Sequence, residues 1–264
     1  MPARAAYTPL IHLTHPHVAA RLKTRDTLEE MDAVRVQDTL GLVHPPVAIG
    51  FFDAHPSGVA PWDGGPAPAG CAFWRAAMEG RCFYTAAADH YNCAVGSYTH
   101  AIVLPPERAA ELQDTVGFMV ANGYIAMSEV PGIPTLAKSP AYVAYAPVDT
   151  SPFRPDVVLV AARPASAMLL YEAAVRAGAA GAPANILGRP GCALLPLVSR
   201  TGQTALSFGC IGNRTFTGLP DDELYIAVPG ARWDEVAAAV TGVAAANSAM
   251  EQYYRGRQAQ FPIL

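Results

Sequence analysis

Asp89-His90-Tyr91-Asn92-Cys93 sets an imidazole and a thiol three residues apart in a polar run, where one tight turn brings them side by side. A histidine beside a thiol lowers the thiol pKa and makes a nucleophile, and the same pair can ligate a metal or contact a cofactor. A second run, Ser207-Phe208-Gly209-Cys210-Ile211-Gly212-Asn213-Arg214, has glycines that let backbone approach a ligand and an arginine that can clamp a carboxylate or phosphate. Plainer readings stay open at both runs. Asp89 or Asn92 can simply close an Asx-turn, and the glycines can be turn residues beside a surface arginine.

The chain holds five cysteines, an odd count that does not suit a disulfide framework, so reduced thiols are expected. Four of them fall at corresponding places. Gly70-Cys71-Ala72 matches Gly191-Cys192-Ala193, and Cys93-Ala94-Val95-Gly96 loosely matches Cys210-Ile211-Gly212. Ile102–Asn122 also lies on Ile226–Ala246 without a gap, pairing Pro105 with Pro229, Arg108 with Arg232 and Glu111 with Glu235. A duplication would carry Cys71, Cys93, Cys192 and Cys210 to one seam. Thiolates are ligands for zinc, copper(I) and iron–sulfur clusters. Against that, spacings of 22, 99 and 18 residues form no short ligand motif, and a cysteine is often just a small buried apolar group. Cys82 is expected to be packing. The aromatics Phe73, Trp74, Phe83, Tyr84, Tyr91 and Tyr98 crowd around Cys71 and Cys93 and could wall a flat ligand such as a tetrapyrrole. His12, His15 and His17 could bind a metal but read more simply as an exposed tail. No Gly-x-Ser-x-Gly element is present.

The elements that position these residues follow from periodicity and breakers. Residues 28–42 alternate as an amphipathic helix, ended by His44-Pro45-Pro46. Strands are expected at Val47–Phe52, Arg81–Thr85, Ala101–Leu104, Ala141–Val148 and Asp156–Ala161. Helices are expected at Cys71–Glu79, from Pro105 to Asn122, and at Ala165–Ala177. Strands alternating with helices predict an α/β chain, an α+β sandwich of two pseudo-repeated halves with helices covering a sheet. The boundaries read as an extension over 1–27, a first half over 28–123, a proline-rich connection over 124–155 and a second half over 156–264, all in one compact domain.

Composition narrows the function. Of 264 residues, 52% are apolar and only 15% charged, which fits a compact globular core rather than disorder. The formal net charge is −4 and no basic stripe appears, so nucleic acid is not an expected partner. The apolar run from Val236 to Met250 is too short to span a bilayer, and the first residues lack the apolar region of a signal peptide. A cytoplasmic protein without membrane contact is expected. Its low charge makes homo-oligomerisation plausible.

The segments CAFWRAAMEGRCFYTAAADHYNCAVGSYT, GRPGCALL, SFGCIGNRTFTGLPDDELYIAVPG and YYRGRQAQF resemble the domain of unknown function 169 family, from about residue 30 to 261. The resemblance implies kinship of fold and a set of marked positions, and no settled activity. Those positions are Cys71, His90, Asn92, Cys93, Gly96, Cys192, Gly209, Cys210, Gly212, Asn213 and Arg214, while Cys82 departs from the pattern. The leading expectation is a protein that binds a metal cofactor. It would hold an iron–sulfur cluster through Cys71, Cys93, Cys192 and Cys210, with Asn92, Gly96, Gly209, Gly212 and Asn213 around it. Haem or another tetrapyrrole, with His90 or a cysteine as axial ligand, is the second choice. The alternatives are a metal-free enzyme acting on a small anionic molecule, with Cys93 as nucleophile, His90 as base and Arg214 as anion clamp, or a small-molecule sensor without catalysis.

Overall fold

The structure, a computed structural model, describes residues 36–258 except 66, 68, 91–93, 182 and 183. The expected extension over 1–27, with His12, His15 and His17, and most of the first expected helix lie outside the described residues. A helical segment over 36–40, α1, leads into β1 (Val47–Phe52). Then come α2 (Ala72–Met78), β2 (Phe83–Thr85), α3 (Ala94–Thr99), α4 (Pro106–Ala121) and β3 (Tyr142–Pro147). The remainder is β4 (Val157–Ala162), α5 (Pro164–Arg176), β5 (Asn185–Leu187), α6 (Leu194–Thr201), β6 (Ala205–Ser207), α7 (Ile211–Thr217), β7 (Leu224–Pro229) and α8 (Trp233–Gln258). Among the described residues no helix is long and apolar enough to cross a membrane.

The strands form one seven-stranded sheet in the order β2-β3-β1-β4-β7-β6-β5, antiparallel throughout except for β5 beside β6. Its central strands are covered on both faces. Side chains alternate along a strand, so a strand buried on both sides must be apolar at every position. β4 meets this demand with Val-Val-Leu-Val-Ala-Ala, buried at all six positions. On one face Ile49, Tyr145, Leu159 and Ala227 pack against Phe73 and Trp74 of α2 and Leu194, Leu195 and Val198 of α6. On the other, Val158, Val160, Ile226 and Val228 pack against α5 and α8, with Val36 and Leu40 joining them.

The α/β class expected from the sequence is the class observed. The strand expected at Ala101–Leu104 is not formed. Ala101 instead takes φ 54°, a left-handed turn that ends α3. The gap-free match of Ile102–Asn122 with Ile226–Ala246 therefore does not describe a structural repeat. It pairs irregular chain with buried β7, and it pairs α4, which touches α3, with α8, which packs on α5 across the sheet. The likeness reflects alanine-rich helices that follow a proline. Gly230 shows the difference at one residue: a Cβ there would lie 1.9 Å from the Pro155 carbonyl oxygen, whereas the residue matched to it, Pro106, carries a Cβ. What does correspond is topology around the cysteines. On one side of the central β1–β4 pair α2, β2 and α3 precede β3, with α4 inserted before it, and on the other α6, β6 and α7 lead directly to β7.

Leu159 is fully buried at the centre of this arrangement. Leu159→Ala should lower the unfolding free energy by about 3 kcal/mol, through lost apolar transfer and the cavity left behind, read as a fall in the urea midpoint at unchanged slope.

Candidate functional site

The helices on the Trp74 face are short, and they leave a cavity of about 690 Å³ between α2, α3, α4, α7 and the Gly191–Ala193 turn. Its lining includes Cys71, His90, Gly96, Cys192, Cys210, Gly212 and Asn213, all expected as site residues. Cys71 precedes α2, Cys192 sits in the turn before α6, and Cys210 is the N-cap of α7, its sulfur accepting from Asn213 N at 3.4 Å. Asn92 and Cys93 lie outside the described residues, as does Tyr91.

Two expected residues serve the site without lining it. Arg214, expected as an anion clamp, gives its guanidinium to the carbonyls of Pro220 (2.7 Å), Phe208 (2.6 Å) and Glu223 (3.0 Å). Those three bonds tie the loop before β7 to the start of α7 and commit three of the five N–H donors of the guanidinium to backbone. Gly209 takes φ +73° in the turn from β6 into α7, and a Cβ there would come within 2.9 Å of Asn213 Oδ1. Its absent side chain lets the Asn213 carboxamide lie against the turn.

The floor of the cavity is polar, buried and neutral. Asp89 closes the turn before His90 by accepting from Ala86 N at 2.8 Å. His90 is 5% exposed and its Nε2 lies 3.0 Å from Thr85 Oγ1, whose own hydrogen goes to the Val143 carbonyl. That network makes Nε2 the protonated nitrogen. His100, at the end of α3, is also 5% exposed, and its Nδ1–H donates to the Gly96 carbonyl at 3.0 Å. Its tautomer is thereby set and Nε2 carries a lone pair, which has no hydrogen-bond partner among the described residues. Burial, aided by the neighbouring His100, pushes the His90 pKa down to about 3. Burial pushes His100 down to about 4 against the opposing pull of the Gly96 carbonyl. A ring held neutral to such low pH is a poor base for generating a thiolate, which weighs against the role expected of His90. Asn213, 2% exposed, leaves both Nδ2 and Oδ1 without a partner among the described residues. Buried polar atoms without partners are rare in folded proteins, and each costs about 1–3 kcal/mol.

The walls are apolar, with Trp74 and Tyr145 buried and Phe118 and Phe216 exposed at the rim. Tyr124 lines the same space. Its hydroxyl meets the Cys210 thiol and the Ile211 N–H, and its pKa is raised by burial first and by Cys210 second. Among the described residues Arg189 is the one charged side chain of the lining, exposed, with its guanidinium 4.8 Å from the centre of the Tyr124 ring. Among the described residues no three His, Cys, Asp or Glu side chains come close enough together to hold a metal ion. Cys71, Cys192 and Cys210 share the cavity, yet the described residues do not assemble the cluster site expected of them. Among the described residues of the expected aromatic wall, only Trp74 lines this cavity. Phe73 and Phe83 pack within the core, Tyr84 bonds His55, and Tyr98 faces a separate apolar hollow under α4.

His100, Tyr124, Tyr145 and Arg189 were missed as site residues in the sequence. Arg189 stands in Gly188-Arg189-Pro190-Gly191-Cys192, three residues before a marked cysteine, so its signal was legible. His100 follows Ser97-Tyr98-Thr99 with nothing to distinguish it from a surface residue.

Two outcomes test this floor. Replacing Asn213 with leucine removes two unpartnered polar atoms at similar volume, so Asn213→Leu should raise the melting temperature of the ligand-free protein, by about 1 kcal/mol in stability. A fall in stability would mean that the carboxamide is bonded after all. Both histidines have lowered folded pKa values, so the unfolded chain binds more protons below pH 6.5. Stability is therefore full above that pH and is lost as pH falls toward 4. At pH 5 the loss should be about 2 kcal/mol per histidine, visible in urea midpoints and halved in His90→Asn.

The family model described as Uncharacterised ArCR (DUF169) matches residues 35–239. No curated protein and no solved structure matches the chain.

Proposed function

From the premise that this chain belongs to the domain of unknown function 169 family, which carries no assigned reaction, we propose that it binds a small, largely apolar organic anion in the cavity between α2, α3, α4 and α7. The observation that carries this reading is the division of the lining, among the described residues, into apolar aromatic walls, a neutral polar floor and one cation, Arg189, at the exposed rim. An apolar body gains from leaving water, at roughly 25 cal/mol per Å² buried. Its charged end stays near solvent beside Arg189, where ion pairing needs no deep desolvation. A cavity of this size and character is that of a small-molecule site.

The thiols of Cys71, Cys192 and Cys210 border the same space, so a bound molecule lies within their reach. A tetrapyrrole belongs to the class proposed, being flat, mostly apolar and acidic at one edge, and it would need only one or two axial ligands. An iron–sulfur cluster needs three or four converging ligands. The described residues offer no such group, so the cluster is not the reading advanced.

The probe for this reading is 1-anilinonaphthalene-8-sulfonate, an apolar aromatic anion that fluoresces when it leaves water. It should bind at one site per chain. Gly212 lines the cavity, and a Cβ added there meets nothing within 4 Å, so Gly212→Trp should fill the space without disturbing α7. That variant should lose the fluorescence while keeping its melting temperature. Arg189→Ala should weaken binding about fivefold, with a smaller salt dependence. Undiminished fluorescence in Gly212→Trp would overturn the reading.

A further inference from the structure

We propose that the end of the ligand that meets the cavity floor is a lactam or imide edge, an N–H beside a C=O on a flat heterocycle, read by Asn213 and His100. The inference rests on the reading just given and names the chemistry of its ligand. Three buried polar atoms on residues lining the cavity have no partner among the described residues: Asn213 Nδ2, Asn213 Oδ1 and His100 Nε2. Together they ask for one acceptor and two donors. A carboxamide presents its donor and acceptor side by side, and the group that satisfies both at once presents them in reverse order. A cis-amide edge does this with its N–H and C=O, as adenine does for asparagine with N6–H and N7. His100 Nε2, bare because Nδ1–H is committed to the Gly96 carbonyl, accepts a further N–H or O–H.

Other chemistries leave the floor unsatisfied. A carboxylate offers only acceptors, so Asn213 Oδ1 and His100 Nε2 would stay orphaned. Its charge would also be buried on a floor whose histidines are neutral and where no cation stands. A hydrocarbon satisfies none of the three atoms. The heterocycle must be flat because aromatic side chains, Trp74, Tyr145 and Phe216, border the same space. Gly209 leaves room for the reading group, since a Cβ there would come within 2.9 Å of Asn213 Oδ1 and displace the carboxamide. Ala101, next to His100, sits in the left-handed region at φ 54°, so the chain accepts local strain beside one of the two reading residues.

The test uses the full chain and two pairs of probes: lumiflavin with 3-methyllumiflavin, and 2-amino-4-oxopteridine with its N3-methyl form. In each pair, methylation removes the N–H and keeps the ring. Binding is read by displacement of 1-anilinonaphthalene-8-sulfonate and by heterocycle fluorescence. At least one parent compound should bind about tenfold or more tighter than its methylated partner, as expected when a buried acceptor loses its donor. Asn213→Leu and His100→Phe should bring that ratio toward one while still binding the dye. The wild-type ratio decides alone if either variant fails to fold. Equal binding within both pairs, or dye binding with neither heterocycle bound, overturns the lactam assignment and leaves the cavity reading standing. If the dye and both heterocycles all fail to bind, the cavity reading itself falls.

Discussion

The antiparallel pairing of β1 with β4, in which Val47 faces Leu159 and Ile49 faces Val157, is the contact on which the site depends. Because both strands are buried on both faces, a one-residue slip would exchange the side chains that fill the two cores and misfit the packing on each side. The elements to either side of this pair run in similar order, α4 apart, and α2 and α6 pack on the same face of the sheet. The turn that carries Cys71 and the turn that carries Cys192 therefore meet over that face, although 120 residues of chain lie between them. The 3₁₀ turn after β2 brings His90 to the cavity, and the N-cap of α7 after β6 brings Cys210 to it.

Given that frame, the cavity arises from a shortage of helix. The opposite face is sealed by α5 and the 26-residue α8, whereas α2, α3, α6 and α7 have six to eight residues each. Short helices cannot tile the sheet, and α4 closes the gap as a roof whose outer residues, such as Phe118, remain exposed. The floor under that roof holds two neutral imidazoles and a carboxamide at low dielectric, with three polar atoms unpartnered among the described residues. This is a local expense of stability that packing alone gives no reason to keep. A bound molecule that supplies the missing partners turns the same atoms into specificity, because they would reject any analogue that lacks the matching groups.

The legibility of the site in the chain was uneven in an instructive way. Cys71, His90, Cys192, Cys210, Gly212 and Asn213 stood in marked runs, and the structure sets them around one cavity. Arg214 stood in the same run, but it follows Asn213 directly, and the rotation of about 100° per residue along α7 turns it toward the carbonyls of Phe208, Pro220 and Glu223. Residue type suggested an anion partner there, while position supplied three backbone acceptors. His100 had the opposite fate. Nothing near it in the chain marks it, and its importance comes from α3 carrying it into the core beside Phe51.

Local pattern determined the strands and helices wherever one apolar rule dominated, as in the uninterrupted run of β4 or the proline-led starts of α4 and α5, because those preferences act within a few residues. It also determined the class of the fold and the absence of a charge pattern for nucleic acid. Only the tertiary structure decided which loops share a cavity, which histidine nitrogens carry protons, and which of two look-alike helices packs on which face. Those outcomes depend on strand pairing and desolvation between groups far apart in the chain, and periodicity carries no trace of them. The neutrality of the floor is the clearest instance: histidine by itself titrates near pH 6.5, and only burial around His90 and His100 moves that transition to about 3 and about 4.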